Sequence, residues 1–94
     1  MIAAAPEGTR ANFYRTAAGA EIDLLLTLPG GPIWAVEIKR SLTPGVERGF
    51  HQACLDLKPE RRMVIYPGSE SYPLREGIEV MPLRDVSAAL LGRA

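Results

Sequence analysis

Two consecutive stretches of the chain alternate between apolar and polar residues, which is the period of a β-strand. They are residues 21–28 (EIDLLLTL) and residues 33–40 (IWAVEIKR). In the first stretch the apolar face is formed by Ile22, Leu24, Leu26 and Leu28. Residues 29–32 (PGGP) lie between the two stretches and combine prolines, which cannot donate to a central ladder, with glycines, which admit positive φ. The pattern therefore predicts an antiparallel hairpin.

The register of this hairpin decides whether its charged residues share a face. A loop of four residues pairs Asp23 with Ile38 and separates the acids, whereas an odd loop or a bulge brings Asp23 and Glu37 together. Charged groups inside apolar strands are costly to desolvate and are normally paired, hydrogen-bonded or bound to a cation. We therefore predict the odd register and a site formed by Asp23, Glu37 and Lys39. Glu21 either approaches this site or points into solvent at the start of its strand.

The remaining elements follow from the same signals. Thr43 and Pro44 suit the N-cap and first position of an amphipathic helix, whose stripe packs on the sheet. The predicted elements outside the hairpin are a strand at 12–16, a helix from about Gly45 to Lys58, a strand at 62–66, a strand at 77–81 and a helix from Pro82 to Gly92. The order is β-β-β-α-β-β-α, an α/β (α+β) fold with helices packed on a mixed sheet. A right-handed crossover makes the strands at 33 and 62 parallel.

Length and composition narrow the class of protein. The 94 residues suit one domain, 1–94, and we expect residues 1–10 to be poorly ordered because Pro6 and Gly8 interrupt any helix there. With 11 basic and 11 acidic residues the chain has no global basic field of the kind that drives strong nonspecific nucleic-acid binding. Cys54 is the single cysteine, which excludes an intramolecular disulfide and cysteine-type zinc clusters. No stretch is long and apolar enough to span a bilayer, and the N-terminus lacks a signal pattern, so we expect a cytoplasmic protein without membrane contact.

An acid on one strand, Glu-x-Lys on the next strand and then a helix together resemble the core of the PD-(D/E)XK nuclease-like superfamily. More narrowly, four segments resemble the C-terminal domain of unknown function found on a group of prokaryotic AAA-type ATPases. These segments are residues 13–16 (FYRT), 19–23 (GAEID), 36–39 (VEIK) and 64–66 (VIY). The resemblance covers roughly Asn12 to the C-terminus. It implies a restriction-endonuclease-like fold.

The resemblance also implies roles for the charged residues. Asp23 and Glu37 would bind one or two Mg²⁺ (or Mn²⁺) ions, with the Ile38 carbonyl as a further ligand and Glu21 as an additional candidate. Lys39 would be the catalytic cation that positions or activates the attacking water. This chemistry is coherent, because Mg²⁺ prefers hard oxygen ligands and keeps several of its waters beside a substrate phosphate.

Departures from the superfamily pattern leave two functions open. The clear N-terminal helix of catalytic members is missing, and Asp56 stands four residues after Gln52 where exonuclease-like relatives have a tyrosine. The first function is a Mg²⁺-dependent phosphodiesterase that acts on DNA. The alternative is a noncatalytic nuclease-fold module that docks an ATPase or another protein, binds nucleic acid or supports oligomerisation. Because the sheet lacks its usual covering helix, we also expect a homodimer.

Overall fold

The computed structural model describes residues 5–92. Its elements are β1 (Arg10–Arg15), β2 (Glu21–Thr27), β3 (Ile33–Ile38), α1 (Arg48–Leu57), β4 (Arg61–Ile65), β5 (Tyr72–Pro73), a short 3₁₀ turn (Arg75–Gly77), β6 (Ile78–Met81) and α2 (Leu83–Leu91). The predicted order is found with one addition, because the short strand β5 precedes the last long strand. Neither helix in this part of the chain has the length and apolar character needed to cross a bilayer.

The strands form one six-stranded mixed sheet in the order β1-β2-β3-β4-β6-β5. The first two neighbouring pairs, β1 with β2 and β2 with β3, are antiparallel, and the second pair is the predicted hairpin. Strands β3 and β4, which flank α1 in the chain, are parallel, so the predicted crossover pairing is confirmed. Strand β6 continues the parallel part beside β4, and β5 closes the far edge in the antiparallel sense.

One helix packs on each face of the sheet, which gives two separate apolar clusters. The α1-side cluster contains Ala20, Ile22, Ala35, Phe50, Ala53, Cys54, Val64, Tyr66, Ile78 and Val80. The α2-side cluster contains Leu24, Leu26, Leu28, Trp34, Val36, Met63, Met81, Val86 and Leu90. Strands β4 and β6 contribute neighbouring residues to both clusters, because a parallel strand covered on both faces has no solvent side. The assignment of Cys54 to the core is confirmed, since its side chain is buried.

A β-bulge interrupts the alternation of β2. Asn12 pairs with Leu25 whereas Tyr14 pairs with Ile22, so two steps along β1 face three steps along β2. As a result Ile22 lies in the α1-side cluster while Leu24 lies in the α2-side cluster. The prediction of a single apolar face from Ile22 to Leu28 is therefore wrong at Ile22, because strict alternation holds only where no residue is inserted.

The start of α1 also differs from the prediction. The helix begins at Arg48 with Glu47 as its N-cap, rather than at Pro44 behind Thr43. Thr43 is used elsewhere, because its backbone N–H donates to the Ser41 hydroxyl at 3.0 Å in a local turn. The predicted end is correct, since Lys58 adopts the left-handed conformation (φ 50°) just before Pro59.

The N-terminal segment is described only from residue 5 onward. Within that part, the Thr9 backbone N–H donates to the Pro6 carbonyl at 3.1 Å and Arg10 begins β1. The expectation of poor order for residues 1–10 also covers residues 1–4, which lie outside the described residues.

Candidate acid–lysine site

The register of the β2–β3 hairpin brings Asp23 and Glu37 to the same place on the sheet. Leu24 and Val36 form the last pair of this ladder, so Asp23 and Glu37 are the next residues beyond it on the two strands. Residues directly opposite each other on neighbouring strands project their side chains to the same face. The Asp23 and Glu37 carboxyl groups interact with each other, so the hairpin brings the two acids together as the odd register requires.

The turn itself has an odd length. The Leu28 N–H donates to the Pro32 carbonyl at 2.8 Å, and the Gly31 N–H donates back to the Leu28 carbonyl at 3.0 Å. Residues 29–31 thus form the loop. Gly30 and Gly31 both have positive φ, at 89° and 105°, a conformation that favours glycine. The predicted odd register is confirmed, and these two glycines are the local reason for it.

Asp23 is tied to the backbone of the neighbouring strand. Its Oδ2 accepts a hydrogen bond from the Ile38 N–H at 3.0 Å. Asp23 lies within the bulged part of β2, and bulges re-aim side chains in this way beside functional sites. The contact orients the Asp23 carboxylate toward the end of β3, where the Glu-x-Lys segment leaves the sheet.

Glu37 is the only buried polar or charged residue in the described part of the chain, at 6% exposure. Its pKa is raised from the ordinary 4.5 to about 7, first by desolvation and then by the charge of Asp23 and a hydrogen bond with Asp23. Lys39 acts in the opposite direction but does not cancel these effects. Near neutral pH, Glu37 is therefore close to its own pKa, so a modest change in the surrounding charge changes its protonation.

Lys39 is held between two carboxylates. Its Nζ lies 2.8 Å from Glu47 Oε1 and 3.4 Å from Glu37 Oε2. The pKa of Lys39 is raised, mainly by the hydrogen bond to Glu47. Glu47 is 74% exposed, whereas Glu37 is buried, so Lys39 bridges the interior and the solvent. The lysine therefore stays protonated throughout the physiological range.

Glu47 was missed as a member of the site by the sequence analysis. It stands eight residues after Lys39 and caps α1, so only the path of the intervening loop brings the two side chains together. A charged residue directly before an amphipathic helix gives no signal of such a partner, because acidic residues are common at helix N-termini for reasons of the helix dipole.

Glu21 and Ile38 were the two additional candidates for metal ligands, and each makes a contact of its own. The Glu21 carboxylate pairs with Arg15 across the β1–β2 ladder, at 2.8 Å from its Nη2. Ile38 is 46% exposed at the end of β3, and its N–H is occupied by Asp23. Between residues 5 and 92, no three His, Cys, Asp or Glu side chains are gathered as a metal-binding cluster. A cation at this site would thus rest on two carboxylates, a backbone carbonyl and its own waters.

This donor set suits a hard divalent cation of modest affinity. The charge of Asp23 raises the pKa of Glu37, and a cation placed between the two groups would oppose that effect. Mg²⁺ and Mn²⁺ accept oxygen ligands and retain several waters, so few protein ligands are needed. Asp23 and Glu37, with the Ile38 carbonyl, are the residues that would hold such an ion.

Three other polar residues of α1 lie apart from Asp23 and Glu37. His51 Nδ1 is 2.9 Å from Glu76 Oε2 at the β6 side of α1. Gln52 donates to Asp56 Oδ1 at 3.2 Å, four residues further along the same helix. None of the three makes a contact with Asp23, Glu37 or Lys39 among the interactions of the described residues.

The domain is a mixed α+β domain with an acid–lysine cluster at the end of strand β3. Comparison with known proteins gives its family. The chain belongs to the family described as a domain of unknown function (DUF4143), whose model matches residues 1–86. It is similar to uncharacterized proteins of Mycobacterium bovis and Mycobacterium tuberculosis, each 37% identical over 70 residues, or 74% of this chain. The matched segment spans only 16% of the length of these relatives. No solved structure matches the chain.

Proposed function

We propose that Asp23, Glu37 and Lys39 bind Mg²⁺ or Mn²⁺ and support hydrolysis of phosphodiester bonds in DNA, on a restriction-endonuclease-like fold of the PD-(D/E)XK superfamily. The single observation that carries the proposal is the contact between Asp23 and buried Glu37, which the odd β2–β3 register allows. Lys39 lies 3.4 Å from the buried Glu37 carboxylate and completes the order of groups that the sequence resemblance implies.

The residues have separate tasks in this reaction. A bound divalent cation would acidify a water ligand and offset negative charge on the phosphate. Asp23 and Glu37 would hold the cation through their carboxylate oxygens, with Glu37 in its ionised form. Lys39 presents a fixed ammonium to the charge that develops on the phosphate oxygens. Because the Lys39 ammonium and the two carboxyl groups are already in position before the substrate binds, these side chains need little rearrangement during the reaction.

Glu47 regulates the availability of that ammonium. An exposed ion pair contributes little net stability, so the Lys39–Glu47 contact is readily exchanged for another anion. A substrate phosphate can replace Glu47 as the solvent-side partner of Lys39, while Glu37 keeps the lysine in position from the buried side. Glu47→Gln should therefore weaken the competition for Lys39 and lower the substrate concentration needed for half-maximal cleavage.

Metal binding is tested by residue-resolved NMR during titration with Mg²⁺, and with Mn²⁺ as a paramagnetic probe. We expect the first shifts at Asp23, Glu37 and Ile38, with weak affinity because only two carboxylates are available. Asp23→Asn should abolish these shifts while the rest of the spectrum keeps its dispersion. Unchanged shifts in Asp23→Asn would remove this residue from the site.

Catalysis is tested separately through Lys39. Lys39→Ala should eliminate metal-dependent cleavage of duplex, branched or single-stranded DNA and leave the metal-induced shifts at Asp23 and Glu37 largely intact, because lysine is not a ligand. Lys58→Ala is the matched control, since Lys58 lies at the other end of α1. Cleavage that survives in Lys39→Ala at the level of Lys58→Ala would contradict the assigned role.

The Lys39 contacts also favour a second candidate, a noncatalytic nuclease-fold module that docks an ATPase or another protein, binds nucleic acid or supports an oligomer. A lysine paired with two carboxylates is a sound structural ion pair, and no third acid joins Asp23 and Glu37 in residues 5–92. This candidate predicts that Lys39→Ala lowers the melting temperature by leaving buried Glu37 poorly compensated. That result, together with no cleavage by the unmodified protein, would favour the module over the enzyme.

A further inference from the structure

A cleft of about 680 Å³ lies between α1 and the turn that joins β1 to β2. Its lining includes Thr16, Gly19, Arg48, Gly49, Gln52 and Asp56. The volume falls within the range of pockets that bind small ligands or a segment of a polymer. No residue of the acid–lysine site lines it, so the cleft is a separate surface that needs its own explanation.

The walls of the cleft are fixed by backbone contacts. The Thr16 N–H donates to the Ala20 carbonyl at 2.9 Å, and the Thr16 hydroxyl accepts from the Ala20 N–H at 3.1 Å, which closes the β1–β2 turn. On the other side, a Cβ built on Gly49 would lie only 2.5 Å from the Gly19 carbonyl oxygen. The first turn of α1 is thus pressed against the turn, and the cleft is a built feature rather than a gap between loosely packed elements.

The two charged residues that line the cleft, Asp56 and Arg48, differ in their contacts. Asp56 accepts a hydrogen bond from Gln52. Arg48, in contrast, makes no ion pair, hydrogen bond or ring contact with any residue in the described part of the chain. A free guanidinium that lines a cleft is suited to bidentate pairing with a phosphate, because its planar donors match two phosphate oxygens.

The cleft lies at the same end of the sheet as the acid–lysine site. Strands β2 and β3 are antiparallel, so the beginning of β2 and the end of β3 lie at the same end of the sheet. Ala20, which lines the cleft, precedes β2, and Lys39 follows β3. Arg48 directly follows Glu47, whose carboxylate contacts Lys39 at 2.8 Å. A polyanionic chain that meets Lys39 is therefore led past Arg48 into the cleft.

We propose that this cleft holds the DNA backbone next to the scissile phosphate and that Arg48 pairs with a neighbouring, non-scissile phosphate. The inference rests on the proposed nuclease function and adds to it a substrate-positioning residue outside the metal site. Thr16 and Gln52 supply uncharged polar groups along the same cleft, which suits a sugar–phosphate backbone better than an apolar ligand. Arg48 is a positioning residue and takes no part in bond cleavage.

The test measures DNA binding without cleavage, by fluorescence anisotropy of a labelled single-stranded oligonucleotide in the presence of Ca²⁺ or EDTA. Arg48→Gln should raise the Kd by about three- to tenfold, which corresponds to one lost charged phosphate contact. It should also reduce the slope of log K against log salt by about 0.7, the value for one phosphate on a single strand. Arg48→Lys should restore much of the salt slope.

Arg10→Gln is the matched control. Arg10 pairs with Thr27 at the opposite end of the sheet and, like Arg48, has no side-chain partner among residues 5–92. We expect the Kd and the salt slope of Arg10→Gln to equal those of the unmodified protein. Both variants should melt like the unmodified protein, because both arginines lie at the surface.

The outcomes separate this inference from the function on which it rests. Binding that depends on Arg48 without any cleavage would support the cleft and count against the nuclease. Cleavage with equal Kd and salt slope in Arg48→Gln and Arg10→Gln would overturn the cleft proposal and leave the nuclease standing. Absence of oligonucleotide binding, or displacement of the oligonucleotide by poly-aspartate at equal charge concentration, would also overturn the cleft as a DNA site.

Discussion

Replacing Glu37 by glutamine removes a buried carboxyl whose ionisation opposes folding. Because the pKa of Glu37 is about 7 in the folded protein and 4.5 ordinarily, the folded chain binds a proton more tightly than the unfolded chain. Stability therefore falls as pH rises between these two values. Glutamine mimics the neutral carboxyl in size and shape and cannot ionise, so the variant should lose this part of the pH dependence.

The magnitude follows from the two pKa values. Between pH 5.5 and 8.5, ionisation of Glu37 should lower the free energy of unfolding of the unmodified protein by about 2 kcal/mol relative to Glu37→Gln. In a domain of this size that difference corresponds to about 8–16 °C in melting temperature. The other ionisable groups are the same in both proteins, so their contributions cancel in the difference.

Urea denaturation at closely spaced pH values provides the assay, with the difference in unfolding free energy between the two proteins as the readout. Addition of Mg²⁺ at pH 8.5 should restore stability to the unmodified protein, because a cation that binds only the folded state stabilises it by mass action. The Glu37→Gln variant should show no such gain. A difference that stays constant within about 0.5 kcal/mol across the pH range would refute the raised pKa of Glu37.

Three further predictions concern packing, reactivity and association. Gly49→Ala should destabilise the fold by about 1–3 kcal/mol in chemical denaturation, because the added Cβ meets the Gly19 carbonyl oxygen, whereas Gly45→Ala should be tolerated since its Cβ meets nothing within 4 Å. Cys54 should react slowly with thiol reagents at pH 8 until the protein is unfolded, because burial raises its pKa to about 11; fast reaction of the native protein would contradict its burial. Sedimentation should reveal a concentration-dependent homodimer, since edge strand β1 exposes 71% of Phe13, and a strict monomer at high concentration would exclude it.

Periodicity and turn chemistry determined most of the secondary structure from the sequence. The alternation in residues 21–28 and 33–40 and the PGGP turn predicted the central hairpin, and the structure confirms its odd register. The helical stripe in α1 and the right-handed crossover rule predicted the parallel pair β3–β4. These features depend on neighbours in the chain, so local sequence contains the necessary information.

Only the tertiary structure shows which residues of β2 lie on each face of the sheet. The bulge opposite β1 sends Ile22 to the α1 side and Leu24 to the α2 side, and no residue type within β2 marks the insertion. A bulge depends on how two strands match in length and twist, which is a property of the pair. The start of α1 was similarly set by the loop from Ser41 to Glu47 rather than by the first available N-cap.

The same division applies to the candidate site. Sequence alone placed Asp23, Glu37 and Lys39 on one face, because all three follow from strand period and register. It could not show that Glu47 contacts Lys39 or that Glu37 is buried deeply enough to raise its pKa, since the first depends on the path of the loop before α1 and the second on packing around the sheet. Burial and electrostatic coupling arise from groups far apart in the chain, and only the packed structure brings those groups within reach of one another.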